Sequence, residues 1–106
     1  MARAEIFSGV CGFMTVVESK MDGEVCRLHI QSECKAIQKL AKNLDHVDPL
    51  QEISARRRMP DTLTAGTQYC SHAACPVPVG IIKAVEIEAK LALPTDVTIK
   101  LTKSEE

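Results

Sequence analysis

The chain contains no tryptophan, one tyrosine and two phenylalanines. Binding of single-stranded nucleic acid draws on exposed aromatic platforms for base stacking, so that function class is disfavoured. Charge of one sign is also missing: 13 Lys and Arg stand against 14 Asp and Glu, a formal net charge of −1. No overall field therefore draws the protein to nucleic acid or to an anionic membrane. Long apolar runs are absent, with nothing near the ~18 residues of a membrane span. The opening MARAEIFSGV lacks the apolar core of a signal peptide. Together these absences point to a cytoplasmic protein with neither a nucleic-acid nor a membrane partner. There is no glycine-rich phosphate loop, no GxSxG and no HExxH, and no internal repeat or low-complexity tract.

Five cysteines in 106 residues stand out against this background. Structural disulfides are uncommon in the cytoplasm. The count is odd and the spacing irregular, which leaves metal binding, sulfur chemistry or burial as roles for the thiols. The remaining composition, 45% hydrophobic and 25% charged, is that of one globular domain with a single core, residues 1–106.

Alternation of Ala4 and Ile6 with Arg3 and Glu5 predicts a first strand over residues 2–8. Cys11 follows between Gly9 and Gly12, in a loop or bulge. Residues 12–20 read as a β-branched strand. Asp22-Gly23 predicts a hairpin turn, and residues 24–31 return with Cys26, Leu28 and Ile30 on one face. Cys26 is thereby expected in the core.

Ser32 is the expected cap of a helix over residues 33–44, with Cys34 in its first turn and Ile37, Leu40, Ala41 and Leu44 along one stripe. Asp48-Pro49 opens a second, short helix that ends near Arg56, Arg57 and Arg58. Residues 59–74 show no period and read as a long loop, a sign of function or mobility. A strongly apolar helix follows over residues 79–91, ended by Pro94, and residues 96–103 alternate Val97, Ile99 and Leu101 as a last strand. The order is β-β-β-α-α-α-β once the long loop is passed over, an α+β two-layer sandwich of an antiparallel sheet with helices on one face.

The stretch TAGTQYCSHAACPVPVGIIKAVEIEAK, residues 64–90, organises the functional reading. Cys70 and Cys75 lie just before the apolar helix. Free N–H groups and the helix dipole favour negative charge there, and a cysteine so placed tends towards thiolate. Cys34 stands at another helix start. An antiparallel meander brings the Cys11 loop, the exit of the third strand and the starts of two parallel helices to one end. Cys11, Cys34, Cys70 and Cys75 are thus candidates to converge as thiolate ligands for zinc or an iron–sulfur cluster.

That order of cysteine-bearing elements resembles the NifU/IscU-type iron–sulfur cluster scaffolds: Cys11-Gly12 before a hairpin, Cys34 opening a helix, and Cys75 or Cys70 opening a late helix. The resemblance implies a cluster-binding scaffold, not a turnover enzyme, with a sulfur or cluster donor or acceptor protein as partner. The family's acidic residue after Cys-Gly is replaced by Phe13, and its His before the third cysteine is absent. Separately, Cys75-Pro76-Val77-Pro78 resembles the Cys-Pro-x-Pro element of TusA-like sulfur carriers. This implies persulfide or thiol-redox chemistry on Cys75, with Cys70 as a resolving thiol. A third reading makes the cysteines inert packing residues of a structural or interaction protein. His72 is a candidate ligand or base beside these thiols. The Arg56–Arg58 run reads as a solvated face or an acidic-partner contact.

Overall fold

The computed structural model describes residues 1–105. Three strands, β1 (Ala2–Phe7), β2 (Met14–Asp22) and β3 (Val25–Ser32), form an antiparallel meander. A helix, α1 (Lys35–Lys42), leads to a two-residue strand, β4 (His46–Val47), which pairs with β3. Then come α2 (Pro49–Glu52), α3 (Asp61–Tyr69) and α4 (Val77–Glu88). The result is an α+β fold: a four-stranded antiparallel sheet, ordered β1-β2-β3-β4, with helices packed on one face.

The hairpin between β2 and β3 is set by Gly23. Asp22 pairs with Val25, so Gly23 and Glu24 are the two loop residues. Gly23 has φ +64°, and a glycine at the first loop position is what a type II′ turn requires. The register this fixes places Val17 of β2 and Cys26 and Leu28 of β3 on the helix side, where all three are buried. Ile37 and Leu40 of α1 and Val77, Ile81, Ala84 and Val85 of α4 close the core over them. Ser19 and Thr15 also face inward and remain satisfied. Ser19 Oγ donates to the Ala84 carbonyl at 2.9 Å and Thr15 Oγ1 to Ser32 Oγ at 2.9 Å.

α4 runs antiparallel to β1. Near its start, a Cβ on Gly80 would overlap the Ile6 side chain. At its far end Glu88 accepts the Met21 N–H at 3.0 Å. The absence of a side chain at Gly80 lets α4 lie close on the sheet.

Three expectations are corrected. Residues 59–74 are not a long loop, because α3 occupies most of them. Its three threonines and one glycine are weak helix formers, and they hide it from a periodicity reading. α3 lacks a side-chain cap of its own; buried Glu52 caps it from α2, accepting the Asp61 and Thr62 N–H groups at 2.8 and 2.9 Å and the Thr62 hydroxyl.

Residues 96–103 are not a strand of the sheet. Val97, Ile99 and Leu101 are 62, 74 and 87% exposed, and the fourth strand is His46–Val47. A strand needs a neighbour to satisfy its backbone, and the chain leaves the body after α4. Lys90 adopts φ +64° and Leu91 N–H bonds back to the Glu86 carbonyl, a helix ending that turns the chain outward.

Ser32 acts two residues before the cap position, not at it. Its Oγ accepts the Cys34 N–H at 3.1 Å, and Cys34 itself is the N-cap of α1. The short helix after Asp48 starts where the sequence indicates, with Asp48 accepting the Leu50 N–H at 3.0 Å, but it ends at Glu52, short of the expected Arg56–Arg58.

Candidate functional site

Two helix ends build the site. Cys70 is the C-cap of α3, its N–H bonded to the Gly66 carbonyl at 3.0 Å. Cys75 directly precedes Pro76, the N-cap of α4, and is held by its N–H to the His72 carbonyl at 3.2 Å. Between them residues 71–74 make a tight exposed turn. α3 and α4 can approach closely because of Gly66, where an added Cβ would stand 2.9 Å from Pro78 Cγ. That contact draws the end of one helix to the start of the next and sets the two thiols on one cleft, near enough to act on each other electrostatically.

The Cys70 thiol is pushed from 9.0 up to about 11. Burial is the first cause, because it disfavours the thiolate. The neighbouring Cys75 thiol comes next, and Cys34 adds a smaller effect. Cys70 therefore keeps its proton well above neutral pH. Pro76 and Pro78 lack N–H groups, which leaves Val77 and Val79 as the free donors at the head of α4.

Both thiols line a cleft of about 480 Å3 between α3 and α4, whose other walls include Met59, Leu63, Pro78 and Val79. Met59 and Val79 are half exposed, so the approach to the sulfurs is apolar. His72 borders the cleft too. Among the described residues no hydrogen bond joins its ring to either thiol, so a Cys–His nucleophile is not assembled. Tyr69 lies on the other side of α3, against the core and a smaller hollow.

The other cysteines divide. Cys34 packs at the core margin, near enough to Cys70 to act on it electrostatically. Cys26 is fully buried and its thiol is raised, first by burial and then by Glu88; it is the core residue its strand position implies. Cys11 is exposed in a turn closed by the Gly12 N–H to the Gly9 carbonyl at 2.8 Å.

The four-thiol centre expected from Cys11, Cys34, Cys70 and Cys75 does not form. Among the described residues no group of three or more His, Cys, Asp or Glu side chains is placed to hold a metal ion. The reading as a zinc or iron–sulfur scaffold is thereby overturned. The backbone argument about one end of the sheet stands: β1 ends, β3 ends and α4 begins there. It failed on side chains, because Cys11 faces solvent and the rest sit in van der Waals packing. No helix of the described residues is long and apolar enough to cross a membrane.

The site is thus a vicinal pair of free thiols at the junction of two helices of an α+β domain. The chain belongs to a family of unknown function (DUF6951), whose profile matches residues 2–101. No curated protein and no solved structure matches it.

Proposed function

We propose that the protein is a thiol-redox protein in which Cys75 is the attacking thiol and Cys70 the resolving one. The observation that carries this reading is that two free cysteines, one at the end of α3 and one at the start of α4, line the same cleft and act on each other electrostatically. A thiolate is the nucleophile in disulfide exchange, and burial holds Cys70 back from that form up to about 11. Cys75 attacks a substrate disulfide and releases one substrate sulfur as thiolate, leaving a mixed disulfide. Cys70 gives up its proton and attacks the Cys75 sulfur. The second substrate thiolate departs and a Cys70–Cys75 disulfide remains. The substrate gains two electrons and the protein loses two. Met59, Leu63 and Val79 beside the sulfurs favour a substrate with an apolar flank. Five free cysteines suit a reducing compartment such as the cytoplasm.

Sulfur carriage on Cys75 is the second reading, favoured by the Cys75-Pro76-Val77-Pro78 helix start. One experiment separates the two. The reduced protein is incubated with a small disulfide, and in parallel with a cysteine desulfurase and cysteine, and each product is mapped by mass spectrometry. Redox function gives a Cys70–Cys75 linked peptide lacking two hydrogens; carriage gives one added sulfur atom on Cys75. Recovery of both cysteines unmodified in both arms overturns the role of the pair.

A further inference from the structure

Two elements of this chain are each missing what the other supplies. β1 bonds to β2 on one side only, so the backbone donors and acceptors of its other side form an open edge. Residues 96–103 carry the alternation of a strand and have no sheet. Their apolar members Val97, Ile99 and Leu101 stand in solvent, and the molecule is drawn out to 53 Å against 28 and 27 Å in its other dimensions. The family's profile runs through Leu101, so this segment is part of the unit the family shares and not an appendage to it.

We propose that two copies of the chain exchange these segments, residues 97–102 of each adding antiparallel to β1 of the other as a fifth strand. The side chains agree with such an addition. On β1, Ala2, Ala4 and Ile6 turn towards the helices while Arg3 and Glu5 are exposed. A register that sets Ile99 opposite Ile6 and Leu101 opposite Ala4 extends the apolar face across the new strand. The same register sets Lys100 opposite Glu5, a favourable cross-strand pair. Slipping by one residue would turn the apolar side chains back to water.

The occupant is a second copy's tail and not the chain's own for a geometric reason. α4 runs antiparallel to β1 and ends beside its first residues, where Glu88 pairs with the chain's amino group at 3.2 Å. A tail doubling back within one chain would run parallel to β1, the weaker pairing. The helix ending at Lys90 and the ring of Pro94 instead send the chain outward. Exchange between two copies frees the tail from that constraint, so that the antiparallel pairing becomes available, and a two-fold arrangement closes both edges at once.

The test compares the full chain with its Ile99→Pro variant by light scattering and by amide hydrogen exchange, with a reductant present so that exposed Cys11 cannot link molecules. Proline removes a backbone donor in the middle of the added strand, and Ile99 lies outside the core, so the fold is kept. The full chain is expected at twice its 11.6 kDa mass, with amides of β1 protected; the variant is expected as a monomer with those protections lost. A full chain that stays monomeric overturns the exchange, even if β1 is protected, since that means pairing within one chain. A dimer that survives Ile99→Pro with β1 protection unchanged overturns it equally.

Discussion

Gly66 of α3 faces the ring of Pro78 in α4 so closely that a methyl group there would stand 2.9 Å from Cγ. A proline ring cannot rotate away, so the helices must separate to admit one. Gly66→Ala gains about 1 kcal/mol of helix propensity and loses about 1–3 kcal/mol to overpacking. The expected net result is a loss of up to about 2 kcal/mol in denaturant unfolding. The sharper expectation is chemical: with the helix ends apart, formation of the Cys70–Cys75 disulfide slows in a titration against a small disulfide, while Cys11 reactivity is unchanged.

Alkylation should separate the thiols by pH. Cys70 is pushed up to about 11, by burial first and by Cys75 second. Around pH 8, mapped labelling of native protein is expected to show Cys70 lagging behind exposed Cys11, and its rate should climb as pH approaches 11. In Cys75→Ser the lag persists, because burial remains. Fast labelling of Cys70 at neutral pH would remove its assignment as the protonated partner. The same shift has a stability consequence. The folded value lies above the unfolded one, so the contribution is complete below about 9 and is lost as pH rises towards about 11.

Glu88 works in the opposite direction. Its carboxyl is held below its ordinary value of 4.5, first by the Met21 N–H it accepts and further by the chain's amino group, 3.2 Å away. A depressed folded value stabilises above about 4.5, and this contribution is lost as pH falls through the folded value. Acid titration of stability in Glu88→Gln is expected to be flatter below pH 4.5 than in the parent. Identical curves would show that the pairing adds nothing.

Glu52 is 2% exposed and its carboxylate serves three donors at the head of α3. Glu52→Ala strands the Asp61 and Thr62 amides and the Thr62 hydroxyl, and buried unmet donors cost about 1–3 kcal/mol each before relaxation. The expected loss is about 2–4 kcal/mol by chemical denaturation. Glu52→Gln keeps an acceptor oxygen and should lose roughly half of that.

Much of the architecture was legible because it rests on local rules. The strand alternation, the Asp22-Gly23 turn and the Asp48-Pro49 helix start each follow from a few adjacent residues, and each appears in the structure within two residues of its expected place. What was hidden depends on distant partners. α3 has threonines where a helix prefers other residues, and its cap arrives from Glu52, nine residues before Asp61. The tail has every local mark of a strand, yet being a strand is a property of a pair. The thiols show both sides: the place of Cys75 just before α4 was readable from the CPVP helix start, whereas the position of Cys70 at the end of α3 was hidden with that helix, and a shared centre with Cys11 required side-chain directions that spacing does not encode.

One compositional poverty becomes an experimental asset. Tyr69 is the chain's lone phenol, no indole competes with its emission, and it is bonded directly to Cys70 along the backbone. Because disulfides quench nearby tyrosine fluorescence, a Cys70–Cys75 disulfide formed as proposed is expected to dim that emission. The proposed closure and reopening of the dithiol can then be followed in real time, with no label attached and no residue replaced.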